Sequence, residues 1–339
     1  MWRCDTVCNY RMKLRSFLLK STRKVYRKVT GKCFVAPIAT LDRQEADDMI
    51  YQLLVSEKPC MISRFGTGEI GIVNNYLTAH SNKPILSRCL DYISDNTGLP
   101  WWDTLFFKSM RLNAGIFPES IDTLDRFSER YLDDIPQIDL LGSFNYSEKF
   151  MPLKSDLQKV HLECLYPFFV ERPWTRALRG KKVLVVHPFT RTIEQQHRRH
   201  MQLFDNPDTY PDYELKTLRA VQSNAGAVTD FADWFEALKW MEDEIAKTDF
   251  DICIIGCGAY GLPLAAHVKR LGKKAIHLGG GSQLLFGIKG KRWDNNAYHW
   301  PNLPHLDTNY SQLYNNYWVR PSQQETPSSA INVEGACYW

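Results

Sequence analysis

The chain has 339 residues, 44% of them hydrophobic and 24% charged, an ordinary globular composition with length enough for two packed sub-domains. No apolar stretch approaches the roughly 20 residues that a spanning helix requires. The nine cysteines form no C-x-x-C pair and no Cys/His zinc spacing, which excludes a zinc module. An odd cysteine count with no recognisable signal peptide points to the cytoplasm.

The net charge of +4 is modest but uneven. In residues 1–36, a basic N-terminal arm, Arg11, Lys13, Arg15, Lys20, Arg23, Lys24, Arg27, Lys28 and Lys32 are opposed only by Asp5. Leu14, Phe17, Leu18, Val25 and Tyr26 interleave with them at near-helical spacing, so residues 11–32 read either as a contact with an anionic membrane surface or as a solvated arm. Nucleic acid is not expected, because no basic stripe continues the footprint.

An N-terminal α/β part is expected over 37–155. It opens with an amphipathic helix at 41–54, Asp42 near its cap, followed by a strand at 59–65. Gly66-Thr67-Gly68 turns the chain into a helix at 69–77. Helical periods then mix with the aromatic run Trp101, Trp102, Phe106 and Phe107, which reads as core, and a buried strand follows at 138–142. A Rossmann-like nucleotide-binding part is expected over 156–300. After a helix at 154–169, strands at 182–187, 214–221, 251–255 and 274–278 alternate with helices at 192–204, 228–247 and beyond Gly261. This alternation predicts an α/β fold, a doubly wound, mostly parallel Rossmann-like sheet with a helical N-terminal part. Residues 301–339 form a C-terminal extension, whose Ser, Gln, Pro and Glu content from 321 onward predicts disorder.

In such a sheet the ligand crevice lies beyond the carboxyl ends of the strands, so the residues that follow each strand carry the chemistry. Arg64-Phe65-Gly66-Thr67-Gly68-Glu69 lets backbone approach a ligand between an Arg and a Glu. Glu69 reads either as a base or metal contact or as a first-turn acid favoured by the helix dipole. His187 ends a strand, a base or a satisfied strand-end histidine, and Thr190 and Arg191 start the next helix. Gly256, Gly258 and Gly261, with Tyr260 among them, match the spacing G-x-G-x-x-G between a strand and a helix, where free N–H groups and the helix dipole hold phosphate. The strand after that helix ends in His277, Leu278, Gly279 and Gly280, without the acid a nicotinamide site uses for ribose. The run from Gly279 through Gln283 and on to Arg292 and Trp293 offers flexible backbone, base and aromatic, either a closing loop or a mobile surface.

The run from Arg64 to Glu69 resembles the R-F-G-D-G-E signature of bacterial glycosyltransferases with the GT-D fold. The stretch from Gly256 to Trp293 is similar to the C-terminal half of a related group found among polysaccharide-biosynthesis proteins. The resemblance spans about 41–293 and carries over Arg64, Gly66, Gly68 and Glu69. It implies a nucleotide-sugar donor, a UDP-sugar, a glycan or lipid-linked acceptor, and a divalent metal, Mg²⁺ or Mn²⁺, at an Asp-x-Glu pair. Thr67 stands where that Asp would be, which leaves one carboxylate and puts the metal in question, with Asp139, Glu148 and Asp294 as substitute ligands. The expected function is sugar transfer, with Glu69 and His187 catalytic and Arg64, Gly66, Thr67, Gly68, Thr190, Arg191, Gly256, Gly258, Tyr260, Gly261 and Gln283 on the donor. The alternatives are an NAD(P)- or nucleotide-dependent oxidoreductase and a non-catalytic nucleotide-binding protein.

Overall fold

Short, nearly continuous buried runs build one sheet with two covered faces. The computed structural model describes residues 2–32, 35–103, 107, 109–294, 306 and 308–339, with side chains from Leu14 onward. The side chains of Arg11 and Lys13, Phe106 of the aromatic run, and 301–305 and 307 of the C-terminal extension lie outside the described residues.

The strands are β1 (Cys60–Arg64), β2 (Leu140–Ser143), β3 (Gln158–His161), β4 (Lys182–His187), β5 (Glu214–Arg219), β6 (Ile252–Ile255) and β7 (Lys274–His277). They form a seven-stranded sheet in the order β3-β2-β1-β7-β6-β4-β5, and every pairing is parallel. The period of two is visible in the core. Met61, Leu141, Leu184, Val186, Cys253, Ile255 and Ala275 point to one face. Ile62, Leu140, Val183, Val185, Ile254 and Ile276 point to the other.

Helices cover both faces. On the first lie α3 (Thr67–Ala79), α5 (Ile121–Asp134), α7 (Trp234–Lys247) and α8 (Gly261–Arg270), contributing Val73, Phe127, Trp234, Met241 and Leu264 among others. On the second lie α2 (Arg43–Val55) and α6 (Thr190–His197), with Ala46, Ile50, Leu54 and Ile193. Asp42 caps α2 by accepting from the Glu45 N–H at 2.8 Å, as its position predicts. Trp102 joins the first face's core and Phe107 packs against it, which agrees with reading those aromatics as core.

The basic arm is one helix, α1 (Trp2–Thr30), packed beside α4 (Ile85–Ile93).

Two helices are shorter than expected, Thr190–His197 against 192–204 and Trp234–Lys247 against 228–247, and two expectations fail outright. The segment 154–169 is not a helix: Gln158–His161 is the edge strand β3, and Leu162–Leu165 a 3₁₀ turn. Four residues are too few to print a period of two in the sequence. The open edge of β2 decides the outcome, in the register Leu140↔Gln158 to Ser143↔His161. Residues 321–339, expected to be disordered, instead fold against the sheet's carboxyl end. A few apolar side chains set in a polar segment, with Ala330, Val333 and Cys337 buried, hold it there.

Candidate functional site

Because all the strands run one way, their carboxyl ends open on one side, and there lies a cavity of about 400 Å³. Its wall follows β1, β7, β6, β4 and β5 in turn, through Arg64, His277, Gly256, His187 and Ala220. It crosses the point where chain order reverses about β4, with β5 on one side and β6 on the other, where open α/β sheets bind ligands.

Arg64 ends β1. Its guanidinium lies over the Phe144 ring at 5.1 Å, and Nε is buried without a hydrogen-bond partner among the described residues. Beside it runs Gly279, held at φ +65°, where a Cβ would meet Arg64 Cδ and Nη1 in ordinary contact. Arg64 lines the cavity, and a guanidinium that keeps a buried nitrogen unpaired there is poised for an anion, since desolvation without a partner is costly.

The chain then turns at Gly66 into α3, and Gly66 offers that helix no side-chain cap. Glu69 stands in the first turn, where its own backbone N–H favours the carboxylate form. The carboxylate folds back over Gly66, where a Cβ would fall inside it. Burial raises the Glu69 carboxyl above the usual range, opposed by that N–H and by Arg64 and assisted by Glu334. Thr67, next in the turn, is exposed.

The three glycines after β6 divide. Gly256 is closely packed, a Cβ there meeting Ser282 and lying 2.7 Å from His187 Cδ2. At Gly261 a Cβ would run into the His277 ring, with Cε1 at 2.9 Å. Gly258, at φ +60°, has nothing within 4 Å of where a Cβ would stand, and it lines the cavity. Two glycines therefore serve close packing and one presents open backbone. Tyr260 lies under the turn, stacked on Trp234 at 4.9 Å and bonded to Ser223 Oγ at 3.0 Å.

His187 and His277 end β4 and β7, and burial pushes both down to about 3, Arg64 adding to the effect on His277. His187 Nδ1 accepts the Phe189 N–H at 3.0 Å, which places the ring proton on Nε2 and makes the free side of the imidazole a donor. His277 Nδ1 shares a 3.0 Å hydrogen bond with Ser63 Oγ.

The cavity thus gathers Arg64, Gly66, Thr67, Gly68, Glu69, His187, Gly256, Gly258, Tyr260 and Gln283 from the residues expected in the sequence. It does not gather Thr190, Arg191 or Gly261. At the start of α6 the Arg191 N–H donates to Glu325 Oε1 at 2.8 Å, and the Thr192 hydroxyl also donates to Glu325, so the chain itself supplies the anion of that helix terminus. Sequence reasoning missed His277, Glu334, Tyr338 and Trp339. Gln283 Nε2 donates to Tyr338 O at 3.1 Å, and Arg292 pairs with Glu334 and lies over the Tyr338 ring at 4.8 Å, so the supposedly disordered tail forms the outer wall. The aromatic pair Tyr338-Trp339 in a polar tail was the signal available.

The residues do not suit a protein-built site for Mg²⁺ or Mn²⁺. Glu69 and the Thr67 hydroxyl stand together, but Glu334, the other carboxylate of the cavity, is engaged by Arg292. Among the described residues no three His, Cys, Asp or Glu gather as ligands. Asp139 is bonded to Lys269, Glu148 to Ser143 and the N–H groups of Phe144 and Asn145, and Asp294 to Arg320.

Fold and site together define an α/β protein with a parallel doubly wound sheet and an anion-ready cleft across its carboxyl edge. No protein-family model and no curated protein matches the chain. It is similar to two solved structures of a domain of unknown function, DUF1792. One is a selenomethionine-substituted structure of that domain, at 16% identity and a TM-score of 0.35, covering 91% of this chain and 96% of the other. The second, described as having a distinct glycosyltransferase fold, matches at 16% identity and a TM-score of 0.33, covering 90% and 95%. At these values the overlap carries no function across.

Proposed function

We propose that the chain is a cytoplasmic glycosyltransferase that moves a sugar from a nucleotide-diphosphate donor, a UDP-sugar, to a hydroxyl of a glycan or lipid-linked acceptor in polysaccharide biosynthesis. The observation that carries the reading is the convergence of Arg64, the open turn at Gly258 and Glu69 on one cavity. Arg64 and the backbone of the 256–260 turn hold the diphosphate, as charge-assisted donors do. Glu69, whose carboxyl is raised toward neutral pH, accepts the proton of the acceptor hydroxyl. As the acceptor oxygen bonds to the anomeric carbon, the bond from that carbon to the diphosphate oxygen breaks, and the electron pair leaves with the diphosphate. Arg64 meets the charge that develops. His187, its proton on Nε2, donates to the bound donor rather than removing a proton.

The nicotinamide reading lacks a residue to hold the ribose, since β7 ends in His277, buried against Ser63 and Gly261. The test is calorimetric titration of UDP, UDP-sugars and NADH, followed by donor turnover with and without acceptor. The expected result is UDP-sugar binding that is weakened but still measurable in Arg64→Met, with slow donor hydrolysis. NADH binding without UDP binding would overturn the reading.

A further inference from the structure

The exposed side of α1 is not explained by the cavity. Leu14, Phe17, Leu18, Val25 and Val29 are 49 to 79% exposed and recur at three- and four-residue spacing, so they form one apolar stripe. The opposite side of the helix is the one that docks. Ser16 accepts from Trp101 Nε1 at 2.9 Å, Lys20 pairs with Asp103 at 2.6 Å, and Arg23 and Arg27 bond Asp95 at 2.6 and 2.5 Å. These contacts fix which face of α1 looks outward. Arg15, Lys24 and Lys28 are exposed along the borders of the stripe and pair with no carboxylate among the described residues. No Asp or Glu occurs between Asp5 and Asp42. Beside α1, helix α4 exposes Ile85, Leu86 and Leu90.

We propose that this outer face of α1 lies on an anionic lipid bilayer, with the stripe entering the headgroup boundary and Arg15, Lys24 and Lys28 meeting lipid phosphates. Charge decides the occupant. A second copy of the chain would bring the same cationic, acid-free face against itself, whereas a bilayer with acidic headgroups complements it. No helix among the described residues is long and apolar enough to cross a membrane, so the contact is a surface one.

The test uses the full chain and flotation with vesicles of phosphatidylcholine alone or mixed with phosphatidylglycerol. Binding should require phosphatidylglycerol and weaken with salt. Lys24→Glu with Lys28→Glu should reduce the bound fraction about tenfold or more. Leu18→Ser with Val25→Ser should reduce it even at low salt, and UDP binding should stay unchanged in both pairs. The inference is overturned if a protein that melts cooperatively ignores anionic vesicles, or if neither pair of substitutions changes flotation. It is also overturned if sedimentation shows a dimer that those substitutions dissolve. These outcomes are independent of sugar transfer, so the two readings fail separately.

Discussion

The carboxylate of Glu69 lies over the α-carbon of Gly66, in the space that any side chain at position 66 would need. The proposed base and the glycine before its helix therefore share one volume. Gly66→Ala should displace Glu69 and lower transfer as far as Glu69→Gln does, about 10²- to 10⁴-fold for loss of a general base. Nucleotide affinity should change little in either variant. Steady-state kinetics beside calorimetry checks this, and equal loss of binding and turnover would make Glu69 structural.

The glycines after β6 should separate by phenotype. Gly261→Ala forces a methyl group into the His277 ring and should destabilise the fold by about 1–3 kcal/mol. Gly258→Ala meets no atom but holds an L-residue at φ +60°, a cost of about 1–2 kcal/mol, and intrudes on the open backbone. Thermal melts should rank Gly261→Ala the less stable, while UDP titration should rank Gly258→Ala the weaker binder for its stability. The reverse order would return the turn to packing alone.

Burial raises the Glu69 carboxyl and Arg64 holds it down. The acidic limb of the rate profile, where the base becomes protonated, should therefore lie above the ordinary glutamate range. Arg64→Met should move that limb to still higher pH, because the opposing charge is gone. A limb that moves to lower pH would mean that another group titrates.

His187 and His277 are neutral in the fold down to about pH 3 and ordinary imidazoles when unfolded. Between about pH 6.5 and pH 3 the unfolded chain binds more protons, so stability should fall as pH falls through that window. Chemical denaturation across this range should show a shallower slope for His187→Gln than for the parent.

Glu325 caps α6 by accepting from Arg191 and Thr192. Glu325→Ala should cost about 0.5–2 kcal/mol of stability, as loss of a helix cap does. If it instead strengthens UDP binding, the helix terminus belongs to the donor site after all.

These expectations rest on features of unequal visibility. The turns at Gly66 and Gly258 were legible because a strand, a glycine turn and a helix are contiguous, and their common position follows from parallel strands. Asp42 as a cap was equally local. Nothing local marked Glu325, whose acceptor role depends on a helix start far back in the chain. The same holds for β3, which exists because β2 had an unpaired edge. The different duties of Gly256, Gly258 and Gly261 needed the positions of His187, Ser282 and His277 around them.

The pairing of β1 with β7 joins the first and last strands of the sheet in chain order, and the cavity straddles that seam between Arg64 and Gly258. Long-range parallel pairing of this kind is slow to form, because loop closure must be paid before contacts reward it. Ligand binding is then a reporter of complete assembly. A chain divided in the connection between β3 and β4 should yield two fragments that bind no nucleotide apart, and mixing them should restore the site at the rate at which β1 finds β7.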